Sequence, residues 1–222
     1  MQKEINIRTF SPQDRSAVRS ISCQTAFLEM PTIHFLNNEE ILADALTQYY
    51  TDYEPESCFV ATHDDKVIGY LIGTKDIKRA NSIFRKKILF PLIAKAFKIG
   101  IFVSPKTLRF FFNIVLSAVR GDFHDPDFSQ QYPATLHINI DKNFRGSHIG
   151  SRLIDHYLNF LQHSKVSGVH LGSISDAAKE FFLKKGFILL HQGQRSYLRY
   201  TLGRTLNYYI FGKKILLVEN DR

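Results

Sequence analysis

The sequence predicts an α/β (α+β) fold, and two observations support this prediction. Short β-rich runs alternate with segments of helical periodicity, most clearly after residue 134. The 222 residues are 44% hydrophobic and 23% charged, which is enough apolar material for one sizeable core. A basic, aromatic stretch at 75–130 interrupts the alternation. We therefore expect one domain over 1–222, with a central sheet flanked by helices and a helical insertion at 75–130.

The first part of the chain is predicted to run strand, helix, helix, strand, strand. EINIRTF (4–10) alternates apolar and polar residues, and Ser11 with Pro12 supply a cap and a first helical residue. A second helix is predicted from Asn38, with two glutamates in its first turn. SCFVATHDDKVIGYLIGT (57–74) contains two β-rich runs around a pair of aspartates, which indicates a hairpin.

The stretch at 75–130 carries most of the formal net charge of +8 among many large apolar residues. Gly100, and then Ser104 with Pro105, punctuate it, so we expect two amphipathic helices. With three strands before it and a strand after it, the stretch would lie between the third and fourth strands of the sheet.

The last part of the chain is predicted to run strand, loop, helix, strand, helix, strand, strand. Gly186 is well placed to end the second of these helices. The predicted segments, in order, are ATLHINID (134–141), NFRGSHIG (143–150), a helix from Ile149 through Leu161, VSGVHLG (166–172), DAAKEFFLKK (176–185), FILLHQ (187–192) and LNYYIFGKKILLV (206–218).

The loop between the strand at 134–141 and the following helix is the feature that indicates chemistry. A strand that enters a short Arg, Gly and Ser loop and then a helix directs several unpaired N–H groups and the helix dipole at one place. Such a junction binds anions, and Gly146 and Gly150 would let the backbone approach a phosphate closely. The loop has neither the GK[ST] of a Walker motif nor GxGxxG, so a P-loop and a dinucleotide fold are disfavoured.

Other functional classes have weaker support in the sequence. Cys23 and Cys58 have no CxxC spacing and are expected to be reduced core thiols, and no His or Cys cluster suggests a metal. The N-terminal MQKEINIRTF lacks the apolar run of a signal peptide, and no segment reaches the ~18 apolar residues of a membrane span. We expect a cytoplasmic protein.

At the 143–150 loop the chain resembles the GNAT N-acetyltransferase superfamily, whose loop after the fourth strand reads Arg/Gln-x-x-Gly-x-Gly/Ala and holds the coenzyme pyrophosphate. Arg145 and Gly150 match this pattern, and His148 stands where the family has its first glycine. SPQDRSAV, VIGYLIGT and SDAAKEFFLKKGF also resemble family segments, in family order. The resemblance implies a GNAT-like mixed sheet and acetyl-CoA as cosubstrate, without a metal.

The resemblance also implies which residues contact acetyl-CoA. The strand backbone would pair with the pantetheine arm, and an N–H there could stabilise the oxyanion. Ser175 falls where the family often has an asparagine that contacts the coenzyme, and Phe182 where it commonly has the tyrosine that protonates the leaving thiolate. The implied coenzyme residues are Ile138, Asn139, Ile140, Arg145, Gly146, Ser147, His148, Ile149, Gly150, Ser151, Ser175 and Phe182.

Candidate catalytic residues lie on the strand before the loop. His137, Asn139 and Asp141 are spaced by two and are predicted to point the same way. His137 has a suitable unperturbed pKa for deprotonating an ammonium, directly or through water, and Asp141 is the second candidate. A packed histidine with one hydrogen bond is the alternative for His137, and His170 is a weaker candidate. The acidic run YTDYEPES (50–57) would either attract a cationic acceptor or form a solvated loop.

Two other functions stay open. Phe182 and His148 would suit a non-catalytic GNAT-like module that binds coenzyme or a partner. The basic aromatic insertion would suit a membrane-surface or nucleic-acid-binding protein. We favour acetyl-CoA and a small-molecule or peptide amine as partners over nucleic acid and membrane, and leave pairing into a homodimer open. The insertion would cover the acceptor side of the site, or its phenylalanines would pack both helices onto the core.

Overall fold

The computed structural model describes residues 5–28 and 30–216, which form a seven-stranded mixed sheet between two layers of helices. The strand order is β1-β2-β3-β4-β5-β7-β6, with β4 and β5 parallel and the other neighbours antiparallel. The strands are β1 Asn6–Thr9, β2 Cys58–His63, β3 Lys66–Thr74, β4 Ala134–Ile140, β5 Gly168–Ser173, β6 Ile188–Arg195 and β7 Leu206–Lys214. The predicted fold class is confirmed. Glu4 and residues 217–218, which were predicted to extend β1 and β7, lie outside the described residues.

The helices begin where capping residues were expected. The helices are α1 Arg15–Thr25, α2 Glu39–Tyr53, α3 Ile77–Ile83, α4 Leu89–Ile99, α5 Pro105–Val119, α6 Ile149–His163, α7 Asp176–Lys184 and α8 Arg199–Leu202. Asn38 caps α2 by accepting the N–H of Glu40 at 2.8 Å. Ser11 and Pro12 instead open a 3-10 turn, held by Asp14, and α1 follows that turn.

The two faces of the sheet carry separate cores. On one face α6 packs on β4 and its neighbours, with Leu136, Leu153 and Tyr157 buried in the largest cluster. The Tyr157 hydroxyl donates to the carbonyl of Thr135 at 2.9 Å. A Cβ at position 73 would lie 2.3 Å from that hydroxyl oxygen, so Gly73 is required for this close approach. On the other face α1 covers β2 and β3.

The segment between β3 and β4 is helical, with α4 and α5 near the positions predicted. Gly100 ends α4 in the left-handed conformation at φ 71°, and Pro105 opens α5. The sequence missed the short helix α3, whose start is capped by Asp76 accepting the N–H groups of Lys78 and Arg79. Among residues 5–28 and 30–216, no helix combines the length and the apolar character needed to cross a membrane.

Candidate active site

Strands β4 and β5 separate shortly after they begin, and this opens a gap in the sheet. They pair only at Ala134 with Val169 and at Thr135 with His170. Residues 136–140 pair with β3 on one edge and have no strand partner on the other within the described chain. Backbone N–H and C=O groups on such an edge can pair with an extended ligand that enters the gap.

The gap leads to the loop that was predicted to bind phosphates. Arg145 through His148 are exposed, and Arg145 Nε lies 3.4 Å from the carbonyl oxygen of Ile140. Helix α6 begins at Ile149, and no side chain caps its start. The first N–H groups of a helix have no partner within the helix, and the helix dipole adds positive potential there. This end of the gap is therefore suited to an anionic group.

Gly150, in the first turn of α6, lies where β4, α6 and α7 meet. A Cβ at this position would lie 3.2 Å from Ile140 Cδ1 and 3.3 Å from Phe181 Cζ. Ile149 before it is buried in the main core and anchors the helix start, while Ser151 after it is half-buried. The glycine thus allows the start of α6 to pack closely against the side chains of β4 and α7.

A cavity of about 520 Å³ opens on the other side of the gap, next to His137. It is lined by β4, β5 and β7, by the start of α3, and by residues 125–129. The His137 ring is solvent-accessible within this hollow and lies edge-on to Tyr50, with 5.7 Å between the ring centroids. Desolvation by the surrounding protein lowers the pKa of His137 from its ordinary value of 6.5. The ring is therefore neutral at pH 7 and can accept a proton.

His170 lines the same cavity from β5, but one of its ring nitrogens is engaged. Its Nδ1 lies 2.6 Å from the carbonyl oxygen of Tyr132, so Nδ1–H donates there. Desolvation also lowers the pKa of His170. The structure thus brings both histidines considered from the sequence to one cavity, with His137 the less constrained of the two.

Several solved structures have the same fold as this chain. No protein-family model and no curated protein matches the chain. Among solved structures, SsHAT matches with a TM-score of 0.73 and 25% identity, covering 96% of this chain and 99% of that one. A GNAT-family acetyltransferase from Streptococcus pneumoniae matches with a TM-score of 0.54 and 16% identity over 96% and 100%. This chain has the GNAT fold. A polyamine N-acetyltransferase from Drosophila melanogaster shares it, with a TM-score of 0.58 and 15% identity over 95% and 100%.

Two of the three residues predicted to point the same way, Asn139 and Asp141, make hydrogen bonds within the protein. The Asn139 amide donates to the Tyr70 hydroxyl at 2.7 Å, on the sheet face that carries α1. Strand β4 ends at Ile140, and the Asp141 carboxylate accepts the N–H of Asn143 at 2.9 Å. Asp141 therefore caps the short turn into the 143–150 loop, and its catalytic role stays a prediction.

Ser175 and Phe182 stand where the GNAT family often has a coenzyme-contacting asparagine and a catalytic tyrosine. Both make contacts within this protein. Ser175 caps α7 by accepting the N–H of Ala178 at 3.3 Å. Phe182 is 3% exposed and packs against Phe187 and Phe211, with centroid distances of 5.4 and 5.6 Å. A phenyl ring in this aromatic cluster has no proton to donate. The contacts of Ser175 and Phe182 with a coenzyme remain predictions.

The acidic run at 50–57 does not line the cavity. Asp52 pairs with Arg15, and Glu56 pairs with Lys75 at 3.2 Å. Glu54 is buried and accepts hydrogen bonds from four groups, the hydroxyls of Tyr49, Ser57 and Thr74 and the N–H of Lys75. These carboxylates make ion pairs and hydrogen bonds within the protein, and a role in attracting an acceptor stays a prediction.

Two carboxylates that do line the cavity were missed by the sequence analysis. Asp125 and Asp127 lie near the end of the 75–130 stretch, after α5. Asp125 pairs with Arg195, and Asp127 accepts the N–H of Ser129 at 2.8 Å. The Asp-Pro-Asp spacing was the available signal, but only the fold brings it beside His137. Within the described residues, no group of three or more His, Cys, Asp or Glu side chains could hold a metal ion.

His148 occupies a backbone conformation that favours glycine, which is the residue the GNAT pattern has there. Its φ and ψ are 56° and 10°, which cost a non-glycine residue about 1 to 2 kcal/mol. Glycine loses more chain entropy on folding, which offsets part of this gain. We therefore expect His148→Gly to raise the free energy of unfolding by about 0.5 to 1 kcal/mol. Urea denaturation would measure this. Ser147→Gly, whose φ is not positive, is the matched control and should not stabilise the fold. An unchanged or lower stability for His148→Gly would contradict the prediction.

Proposed function

We propose that this chain is an acetyl-CoA-dependent N-acetyltransferase in which an acceptor amine attacks the thioester directly, within a ternary complex. The observation that carries the proposal is the gap between β4 and β5, with an uncapped helix start at one end and a histidine-lined cavity beside it. One ligand that has an extended polar arm and a pyrophosphate matches both the strand edge and the helix start.

The coenzyme side uses backbone groups more than side chains. The free edge of β4 at 136–140 would pair with the amides of the pantetheine arm. The N–H groups around Gly150 would bind the pyrophosphate, with Arg145 adding positive charge. An N–H of the same strand edge would face the thioester oxygen and stabilise the negative charge that develops on it.

The acceptor side would use His137 as the general base. An ammonium acceptor transfers one proton to the neutral imidazole, directly or through water. The amine nitrogen then attacks the thioester carbon, the new C–N bond forms, the nitrogen loses its second proton to solvent, and the C–S bond breaks. The thiolate takes its proton from solvent, because the side chain at the family's tyrosine position is Phe182.

The insertion contributes to the acceptor cavity through its two ends. Ile77, Lys78 and Asn81 of α3 line it from one side, and residues 125–129 line it from another. None of the phenylalanines on α4 and α5 is among the described residues that line this cavity. We infer that α3 and the 125–129 loop, and not the aromatic helices, influence which amine binds.

Ligand-dependent stability tests the coenzyme part of the proposal. Acetyl-CoA at ~100 times its dissociation constant contributes about 2.7 kcal/mol, which raises the melting temperature by roughly 5 to 10 °C for a chain of this size. NADH, which has a pyrophosphate but no pantetheine arm, is the control and should give a smaller shift. No shift with millimolar acetyl-CoA would refute the proposal.

Thiol release from acetyl-CoA tests the transfer itself. The panel should include polyamines, agmatine and peptide N-terminal amines, because solved structures of this fold include a polyamine N-acetyltransferase and an S18-alanine N-acetyltransferase. We expect at least one amine to raise thiol release well above hydrolysis. Coenzyme binding without turnover across the panel would favour a non-catalytic binding module, the reading that Phe182 supports.

A further inference from the structure

Helices α4 and α5 each carry a stripe of large apolar side chains that face solvent. On α4 the stripe is Phe90, Ile93 and Phe97, which are 72%, 41% and 67% exposed. On α5 it is Leu108, Phe112, Val115 and Val119, which are 51%, 65%, 60% and 80% exposed. The spacings of three and four place each set on one side of its helix. Such exposure of contiguous apolar side chains marks an interaction surface.

Each of the two helices packs on the core through a different face from the one that carries its exposed stripe. Ala96 of α4 packs with Ile41 and Ile101 in one buried cluster. Phe110 of α5 packs with Phe27 and Phe35 in another, with ring centroids 5.5 and 5.7 Å apart. The outward stripes are therefore not needed to hold the helices in place, and another partner must account for them.

The charge around the stripes has a single sign. Residues 77–121 contain ten Lys and Arg residues and no Asp or Glu. Within the part of the chain that the structure describes, only Lys95 of these ten pairs with a carboxylate, at 2.6 Å from Asp44. Lys86, Lys98 and Arg120 are exposed beside the apolar stripes. The exposed apolar side chains of α4 and α5 are thus accompanied by exposed charges of one sign.

We propose that α4 and α5 dock this protein on the surface of an anionic phospholipid bilayer. The apolar stripes would enter the boundary between headgroups and acyl chains, while the long Lys and Arg side chains reach the phosphates. The helices have 11 and 15 residues, which suits lying in the interface and is too short for a span. This inference does not depend on the proposed acetyl transfer, although both use the 75–130 segment.

The same charge and composition disfavour two other occupants. A second copy of the chain, paired through the same surface, would place one set of unpaired cations against another. A nucleic acid would satisfy the cations, but Ile93, Leu108, Val115 and Val119 offer it neither stacking nor hydrogen bonds. Of these three occupants, the lipid surface alone uses both the aliphatic and the cationic side chains.

Co-sedimentation of the full chain with vesicles tests the proposal. We expect binding to vesicles of phosphatidylcholine with 30% phosphatidylglycerol, and much weaker binding to phosphatidylcholine alone. Phe90→Ser, Phe97→Ser and Phe112→Ser in one chain should weaken binding by about 100-fold. Replacing Lys86, Lys98 and Arg120 with Gln should weaken binding to the anionic vesicles to a similar extent.

A matched control replaces exposed apolar residues outside the insertion: Leu183, Ile188 and Leu189, which are 43%, 57% and 39% exposed. This triple Ser variant should bind vesicles as the unmodified chain does, and thermal melts should show that all variants fold. The proposal is overturned if the unmodified chain does not bind anionic vesicles, or if the Phe variant binds them equally well. The proposal is also overturned if the chain does not bind vesicles and instead forms a dimer that depends on these Phe residues in sedimentation. Salt-sensitive DNA binding without vesicle binding would overturn it as well.

Discussion

Coenzyme binding is expected to be lost when Gly150 is replaced with Leu. The added Cβ would already lie 3.2 Å from Ile140 Cδ1 and 3.3 Å from Phe181 Cζ, so the leucine must displace these side chains and shift the start of α6. The first N–H groups of α6 would then no longer be placed to bind the pyrophosphate. We expect the dissociation constant for acetyl-CoA to rise by about 100-fold or more, equivalent to at least about 2.7 kcal/mol, measured by calorimetric titration.

Gly146→Ala is the control for this change, because it alters a glycine of the same loop without a clash against β4 or α7. Gly146 has φ of 83°, so alanine should lower the free energy of unfolding by about 1 to 2 kcal/mol. No atom lies within 4 Å of the new Cβ, and we expect coenzyme affinity to change by only a few fold. If folded Gly150→Leu protein binds acetyl-CoA normally, the pyrophosphate does not bind at this helix start.

Replacement of His137 with Gln is expected to reduce kcat/KM for the acceptor by about 100-fold or more, which is the typical contribution of a general base. The neutral ring is the active form, so activity should fall as the pH drops through its folded-state pKa. Desolvation lowers that pKa from 6.5, and the acid limb of the pH profile should therefore lie below pH 6.5. The variant should lose this limb while it keeps its affinity for acetyl-CoA.

His170→Gln is the matched control for His137→Gln, since both residues line the cavity and both have a lowered pKa. Because its Nδ1–H is engaged by the Tyr132 carbonyl, we expect a loss of less than about tenfold in kcat/KM and an unchanged acid limb. The opposite ranking of the two variants would assign the base to His170. An acid limb that persists in both variants would assign it to neither.

Much of the fold followed from signals that are local in sequence. Asn38 predicted the start of α2, Gly100 the end of α4 and Pro105 the start of α5, and each of these positions is correct. Caps and breakers act through neighbouring backbone groups, so they can be read without tertiary structure. Helix α3 was missed because its signal is a single capping aspartate ahead of a charged, short segment.

The sequence by itself determined the order of the strands and of the helices other than α3 and α8, and the glycine-containing loop that joins β4 to α6. Only the tertiary structure decided that β4 and β5 separate after Thr135, and that His137 and Asp127 border one cavity. It also decided which apolar face of α4 and α5 is buried. Periodicity reports that a helix is apolar on both sides, but burial depends on which neighbours pack against it. That choice leaves Phe90 and Phe112 in solvent and Phe110 in the core.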